Sequence, residues 1–219
     1  MEFPAKATAR LRSGETKEMR DLQLGDLVLD ASGAFSPVIV FGHADAATSA
    51  EFVRLELEAS GDVLELSPRH FIPVWGIQTF AKDVRVGDAL ARWTGTGFET
   101  DVVAKKTSVV ADGIYNPYTV SGSIVVDGVL ASCHSEWFLD DATPEGYSKY
   151  LPAVYQRVLV VVRGAYAVLG PRGMDAVFGV GNTGKTASYE AQTAMFFSVV
   201  AILALGVFGG VSVAAALRA

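Results

Sequence analysis

The sequence predicts an all-β domain over residues 2–140, followed by an α-helical, apolar C-terminal region over residues 141–219. Three observations carry that expectation. From Ala7 to Val129, short apolar runs are punctuated by Gly, Asp, Asn and Pro turn signals. A seven-residue pattern in this stretch recurs 62 positions downstream. Charge also thins out along the chain, and the 27 residues from Ala191 to Leu217 contain no Asp, Glu, Lys or Arg.

The strand candidates run in order as TARL, LVLD, PVIVF, FVRLELE, DVLELS, FIPVW, DVVAKK and SIVVDGVL. Short strands at this spacing read as a closed or sandwiched β-domain, and nothing in the region sustains a 3.6-residue period. The recurring pattern is Arg20-Asp21-Leu22-Gln23-Leu24-Gly25-Asp26, matched by Lys82-Asp83-Val84-Arg85-Val86-Gly87-Asp88. A second pair, Ser60–Leu64 and Ser121–Val125, lies 61 apart. The shared offset predicts two copies of one β-unit about a pseudo-twofold axis, with glycine supplying a left-handed turn before each strand. Two ordinary turns of similar composition are the plainer alternative.

After Cys133 the character changes. Leu139 to Ser148 reads as a linker, Leu151 to Leu169 as one amphipathic helix, and Gly170 to Thr183 as a glycine-rich turn region. Ala191 to Leu217 exceeds the ~20 apolar residues that cross a bilayer. Gly206, Gly209 and Gly210 suit either close helix packing in lipid or a buried or interfacial hairpin.

Composition excludes several classes. The net charge is −6 and no Lys/Arg stripe tracks a phosphate backbone, which argues against a nucleic-acid partner. The lone cysteine, Cys133, forms no intrachain disulfide and no Cys-based zinc site; it is a reactive thiol or a small buried hydrophobe. No metal or cofactor is implied. The N-terminal segment lacks an apolar signal-peptide core and reads as a piece cut from a longer precursor.

Three short motifs carry chemistry: Phe3-Pro4-Ala5-Lys6-Ala7-Thr8, Ser67-Pro68-Arg69-His70 and Leu130-Ala131-Ser132-Cys133-His134. Together with MRDLQLGDLVL and GSIVVDGVLASC, they resemble, in order and spacing, the Hedgehog-type autoprocessing domain, a HINT (Hedgehog/intein) fold. The resemblance covers residues 2 to about 138 and implies the duplicated β-architecture. It implies an intramolecular reaction in which a first cysteine attacks the preceding carbonyl and forms a thioester. The upstream part of the precursor then passes to a sterol, another alcohol or water.

Self-cleavage needs a nucleophile, an acid for the leaving amine and a group that polarises the amide. By resemblance, His70 is the acid, Ser67 (Thr in the family) bonds the scissile amide, and Cys133 is the second cysteine. An imidazole that titrates near neutrality suits proton donation, although a satisfied core histidine is the plainer reading of His70. Two positions depart from the pattern. Glu2 stands where the family has its nucleophilic cysteine, and a carboxylate cannot drive the N-to-S shift, so the chain is expected to be inactive as written. His43 stands where the family often has an Asp that activates the sterol hydroxyl; it reads as a general base or an exposed loop residue ahead of a long turn. His134 should alternate away from Cys133 and is taken as peripheral.

The implied partners are the upstream domain of its own precursor, a lipid alcohol such as a sterol, and a membrane engaged by the 191–217 span. The implied location is the secretory pathway, membrane-associated. No His-Asn dipeptide closes a splice junction, so cleavage and transfer fit better than splicing. Gly179–Thr186 (GVGNTGKT) satisfies a phosphate-binding-loop pattern, yet it lacks the strand before it and the alternating β–α context such a loop requires. A non-catalytic membrane-anchored β-module and a nucleotide-binding membrane protein are the two competing readings.

Overall fold

The computed structural model describes residues 3–137, 139–144 and 146–178. Glu2, the GVGNTGKT loop and the 191–217 span lie outside the described residues.

Eleven strands form among the described residues. They are β1 (Thr8–Arg10), β2 (Thr16–Glu18), β3 (Leu27–Leu29), β4 (Phe35–Leu57), β5 (Val63–Leu66) and β6 (Phe71–Val74). Then follow β7 (Ile77–Phe80), β8 (Ala89–Trp93), β9 (Phe98–Thr119), β10 (Ser123–Val126) and β11 (Val129–Ser132). Nine of them share one sheet in the order β2-β1-β10-β11-β8-β9-β4-β3, with β5 also on β4, while β6 and β7 form a separate hairpin. The backbone of this domain is the antiparallel β4–β9 pair, whose register runs from Val38↔Thr119 to Leu57↔Val103. Each long strand is a succession of short apolar runs joined through bulges, so Gly42 and Pro117 lie inside strands rather than between them. A bulge adds a residue and bends the strand without ending the ladder.

The two copies of the seven-residue pattern fold alike. Each begins in a single 3-10 turn, Met19–Asp21 and Ala81–Asp83. Gly25 and Gly87 both have φ +91. In each copy the aspartate carboxylate accepts a backbone N–H three residues back, from Gln23 and Arg85, at 2.8 Å. The N–H of Gly25 donates to the Val38 carbonyl and that of Gly87 to the Val103 carbonyl, both at 2.8 Å.

The C-terminal region differs from the single amphipathic helix expected over Leu151–Leu169. A 3-10 turn at Ser148–Tyr150 leads into α1 (Leu151–Val158), with Pro152 in the first turn, where its missing N–H costs nothing. Leu159 leaves helical geometry, and α2 (Val160–Phe178) starts immediately after it. The glycine-rich turn region expected over residues 170–183 is helical instead as far as Phe178: Gly170, with φ 65 and ψ −178, makes a kink, and Pro171 restarts the helix beyond it. Leu151, Tyr155, Leu159 and Val162 recur at helical spacing and are all buried, as is Met174. Leu159, Val162 and Met174 belong to the same apolar cluster as Phe3, Val38, Leu55 and Ile124. At the kink, Pro171 Cγ lies 2.9 Å from where a Cβ on Gly25 would stand, an approach only glycine permits.

Candidate functional site at the chain start

The start of the chain is threaded between the strands that carry the chemical motifs. Phe3 exchanges two backbone hydrogen bonds with Tyr115 of β9, at 2.9 and 3.0 Å, and the Ala5 N–H donates to the Asp112 carbonyl at 2.9 Å. The Phe3 side chain is fully buried, and its ring centroid lies 4.5 Å from that of His70. Phe3 is thereby the described residue of the first motif that packs against this histidine.

His70 sits on a tight turn after β5. Its own N–H donates to the Ser67 carbonyl at 3.0 Å, closing Ser67-Pro68-Arg69-His70 into a four-residue turn that puts both motif residues on one short segment. Both are buried, His70 completely. Its imidazole Nε2 lies 2.7 Å from the Ser132 carbonyl oxygen. A carbonyl only accepts, so Nε2 carries the proton, and in the neutral ring Nδ1 holds the lone pair. The backbone ties the same segments together, with Phe71 N–H donating to the His134 carbonyl at 3.0 Å and His70 bridged to Ser135.

Cys133 follows Ser132 at the end of β11 and is completely buried. Its N–H donates to the Gly122 carbonyl at 3.0 Å, and its Sγ lies 3.4 Å from Thr119 Oγ1. Burial pushes the thiol pKa up to about 11, so at neutral pH the sulfur is protonated and a poor nucleophile.

His43 is not in a loop. It lies within β4 at a bulge, where Gly42 and His43 on β4 oppose Asn116 alone on β9, between the Phe41↔Pro117 and Ala44↔Tyr115 pairs. The bulge turns His43 inward and leaves it buried. Desolvation lowers its pKa to about 3, so the ring is neutral at physiological pH.

His134 is not peripheral either. It does alternate away from Cys133, but α1 covers the face it turns to, and its Nε2 lies 3.0 Å from Gln156 Oε1. Its ring packs near those of Tyr118 and Tyr155, and burial lowers its pKa to about 4. The sequence left Thr119, Asn116 and Gln156 unremarked, and no motif signals them. Each enters the site through pairing distant in sequence.

The sequence profile of the Hint module matches residues 2–141. The chain belongs to the Hint family. Its Hint domain is of Hedgehog type: it is 36% identical over 149 residues to Warthog protein 6 of Caenorhabditis elegans and 34% identical over 144 residues to Protein hedgehog of Drosophila virilis. Each alignment covers 61% of this chain but only 24% and 30% of those proteins. The Hint fold also matches solved inteins. A DnaB intein from Synechocystis sp. PCC 6803 aligns with TM-score 0.52 at 10% identity, covering 62% of this chain and 98% of the intein. The gp41-1 intein aligns with TM-score 0.50 at 17% identity, covering 60% and 97%. The family match ends at residue 141, whereas the buried apolar cluster of the Hint domain takes in α2 residues as far as Met174.

Proposed function

We propose that this Hint domain is built to cleave the peptide bond before position 2 and to transfer the upstream polypeptide to an alcohol or water, and that Glu2 leaves it without its nucleophile. The observation that carries the reading is the seating of His70. Its Nε2–H is spent on the Ser132 carbonyl, so Nδ1 is the nitrogen that would take up and deliver a proton, and its ring packs at a tilt against that of the residue that follows position 2.

With a cysteine at position 2, the sulfur adds to the carbonyl carbon of the preceding residue. The thiol proton passes to His70 Nδ1 and from there to the nitrogen as the C–N bond breaks, leaving a thioester and a free α-amine. Ser67 supplies a hydroxyl to the scissile amide. An acceptor hydroxyl next adds to the thioester carbonyl, its proton passes to the departing sulfur, and an ester, or with water an acid, is released. A base with a pKa of about 3 removes protons poorly, so His43 serves chiefly to orient that hydroxyl as a hydrogen-bond acceptor. Cys133 stands beside this centre as the second sulfur.

The upstream partner is the preceding domain of the same precursor, and the acceptor class is a sterol or other lipid alcohol. Support for a membrane setting comes from the tail. The stretch Ser148–Ala176 is apolar, with Val160, Val168 and Leu169 exposed on it, and 191–217 is uncharged. A secretory, membrane-associated location belongs to the same proposal. The test is a Glu2→Cys chain behind a reporter protein, treated with dithiothreitol. Thiol-dependent release is expected, and His70→Ala should slow it by roughly two to four orders of magnitude, the worth of a positioned general acid. Near-normal release from His70→Ala would overturn the assignment.

A further inference from the structure

Helix α1 reaches the Cys133 neighbourhood through one side chain. Gln156 directs its amide nitrogen to the Val120 carbonyl at 2.7 Å and its amide oxygen to His134 Nε2 at 3.0 Å. The two contacts fix the orientation of the amide, because a carbonyl accepts only from the NH2 group and the imidazole N–H donates only to the oxygen. The side chain also lies flat on Gly122, where a Cβ would fall 2.7 Å from its carbonyl carbon.

These three residues flank Cys133 on both sides. Val120 and Gly122 form the turn between β9 and β10, and His134 follows the cysteine. That turn holds the cysteine directly. Gly122 accepts the Cys133 N–H, Thr119 Oγ1 lies 3.4 Å from Sγ, and Thr119 Oγ1 also accepts the Gly122 N–H at 3.1 Å. On the other side, Ser132 Oγ accepts the His134 N–H at 2.9 Å, and the Ser132 carbonyl is the one that orients His70. Gln156 thus staples the 119–122 turn to the 132–134 segment, and the cysteine and the His70 acceptor both lie between the two arms of the staple.

We infer that Gln156, on the helix after the β-domain, is a positioning residue for the Hint reaction: it holds Cys133 and the Ser132 carbonyl in register with His70, coupling the C-terminal region to the cleavage centre. The inference rests on the proposed cleavage only for its effect on rate. Its structural half, the hold on Cys133, stands apart from that reading.

Two measurements separate the halves. Cys133 is the only cysteine of the chain, so in the full-length Glu2 protein an iodoacetamide adduct reports its accessibility without any cleavage. Gln156→Leu keeps the bulk and loses both hydrogen bonds; Gln156→Glu keeps the acceptor for His134 but turns a carboxylate toward the Val120 carbonyl. Both should raise the alkylation rate at pH 8 about tenfold or more, the order expected for losing one or two hydrogen bonds. In the Glu2→Cys precursor both should slow thiol-dependent release about tenfold, because small displacements of reacting groups are costly. Tyr155→Phe, which loosens the same helix through a bond to Asp140 instead, should lower the melting temperature while leaving both rates within about twofold. Unchanged alkylation in Gln156→Leu refutes the hold on Cys133. Faster alkylation with unchanged release refutes the positioning role, and equal effects from Tyr155→Phe reduce Gln156 to a general support of the helix. A Glu2→Cys parent that never cleaves refutes the proposed function, while the alkylation arm still decides the staple.

Discussion

Gly113→Ala should separate the cost of a left-handed backbone from the cost of displacing the chain start. Gly113 has φ +79, and a Cβ there would fall 2.6 Å from Ala5 Cβ, 2.9 Å from Tyr115 Cε2 and 3.3 Å from Ala5 Cα. Two of those atoms belong to the segment that carries Phe3 to His70, and they have no room to retreat because Ala5 is buried. Gly87 provides the control, since its φ is +91 with nothing within 4 Å of the added Cβ. Gly87→Ala should therefore cost only the left-handed conformation, about 1–2 kcal/mol. Gly113→Ala adds an overpacking term of about 1–3 kcal/mol, for a total of about 2–5 kcal/mol. For a chain of this size each kcal/mol lowers the melting temperature by about 2–4 °C. Thermal melts followed by circular dichroism should show a fall for Gly113→Ala roughly twice that for Gly87→Ala or more. In the Glu2→Cys precursor, only Gly113→Ala should slow release beyond what lost stability explains, because it pushes Phe3 out of line with His70. Equal melting shifts for the two variants, or normal release from Gly113→Ala, would refute the placement of the N-terminal segment.

Three further outcomes follow from the same geometry. Ser67→Ala in the Glu2→Cys precursor should slow release by less than His70→Ala does, because it removes one hydrogen bond worth about 1 kcal/mol; a larger loss than for His70→Ala would reverse their roles. Thermal stability should fall as the pH drops below about 6.5. Unfolded histidine binds a proton near that value, whereas burial holds His134 at about 4 and His43 at about 3, so the unfolded state takes up protons first; His134→Phe should flatten the decline between 6.5 and 4 in melts taken across pH 4–8. A chain ending at Asp140 loses Leu151, Tyr155, Leu159, Val162 and Met174 from the buried interior, so it should melt lower and bind a hydrophobic dye; an unchanged melting temperature would show that these side chains do not support the β-domain.

The strands were legible because each half-buried run alternates with period two, as in Val63–Leu66, whose second and fourth residues are the fully buried ones. Their continuity was not. Gly42 and Pro117 look like punctuation, but both lie inside strands that bulges carry onward, and so His43 reads as a loop residue in the sequence and is buried in the fold. The repeated Gly-Asp turns were legible as left-handed glycine turns, but the aspartate that accepts a backbone N–H three residues back in each was not. His134 shows the limit of alternation: period two says correctly that it faces away from Cys133, but not that a helix 22 residues later will cover that face. The helix breaks at Leu159 and Gly170 were half visible. Gly170-Pro171 is a readable stop, whereas the departure at Leu159 has no local signal and accompanies the burial of that side chain against the β-domain.

The central claim is that this Hint domain retains a working cleavage centre and lacks only its first nucleophile. Intact-mass spectrometry of a reporter protein fused upstream of the full chain tests it most directly, with Glu2 and with Glu2→Cys, each incubated with dithiothreitol at neutral pH. The account predicts that the Glu2 fusion keeps its full mass, while Glu2→Cys yields the reporter as its thiol adduct together with a free Hint chain starting at position 2. Cleavage of the Glu2 fusion at the same bond, or an intact Glu2→Cys fusion whose fold is undisturbed, would contradict it.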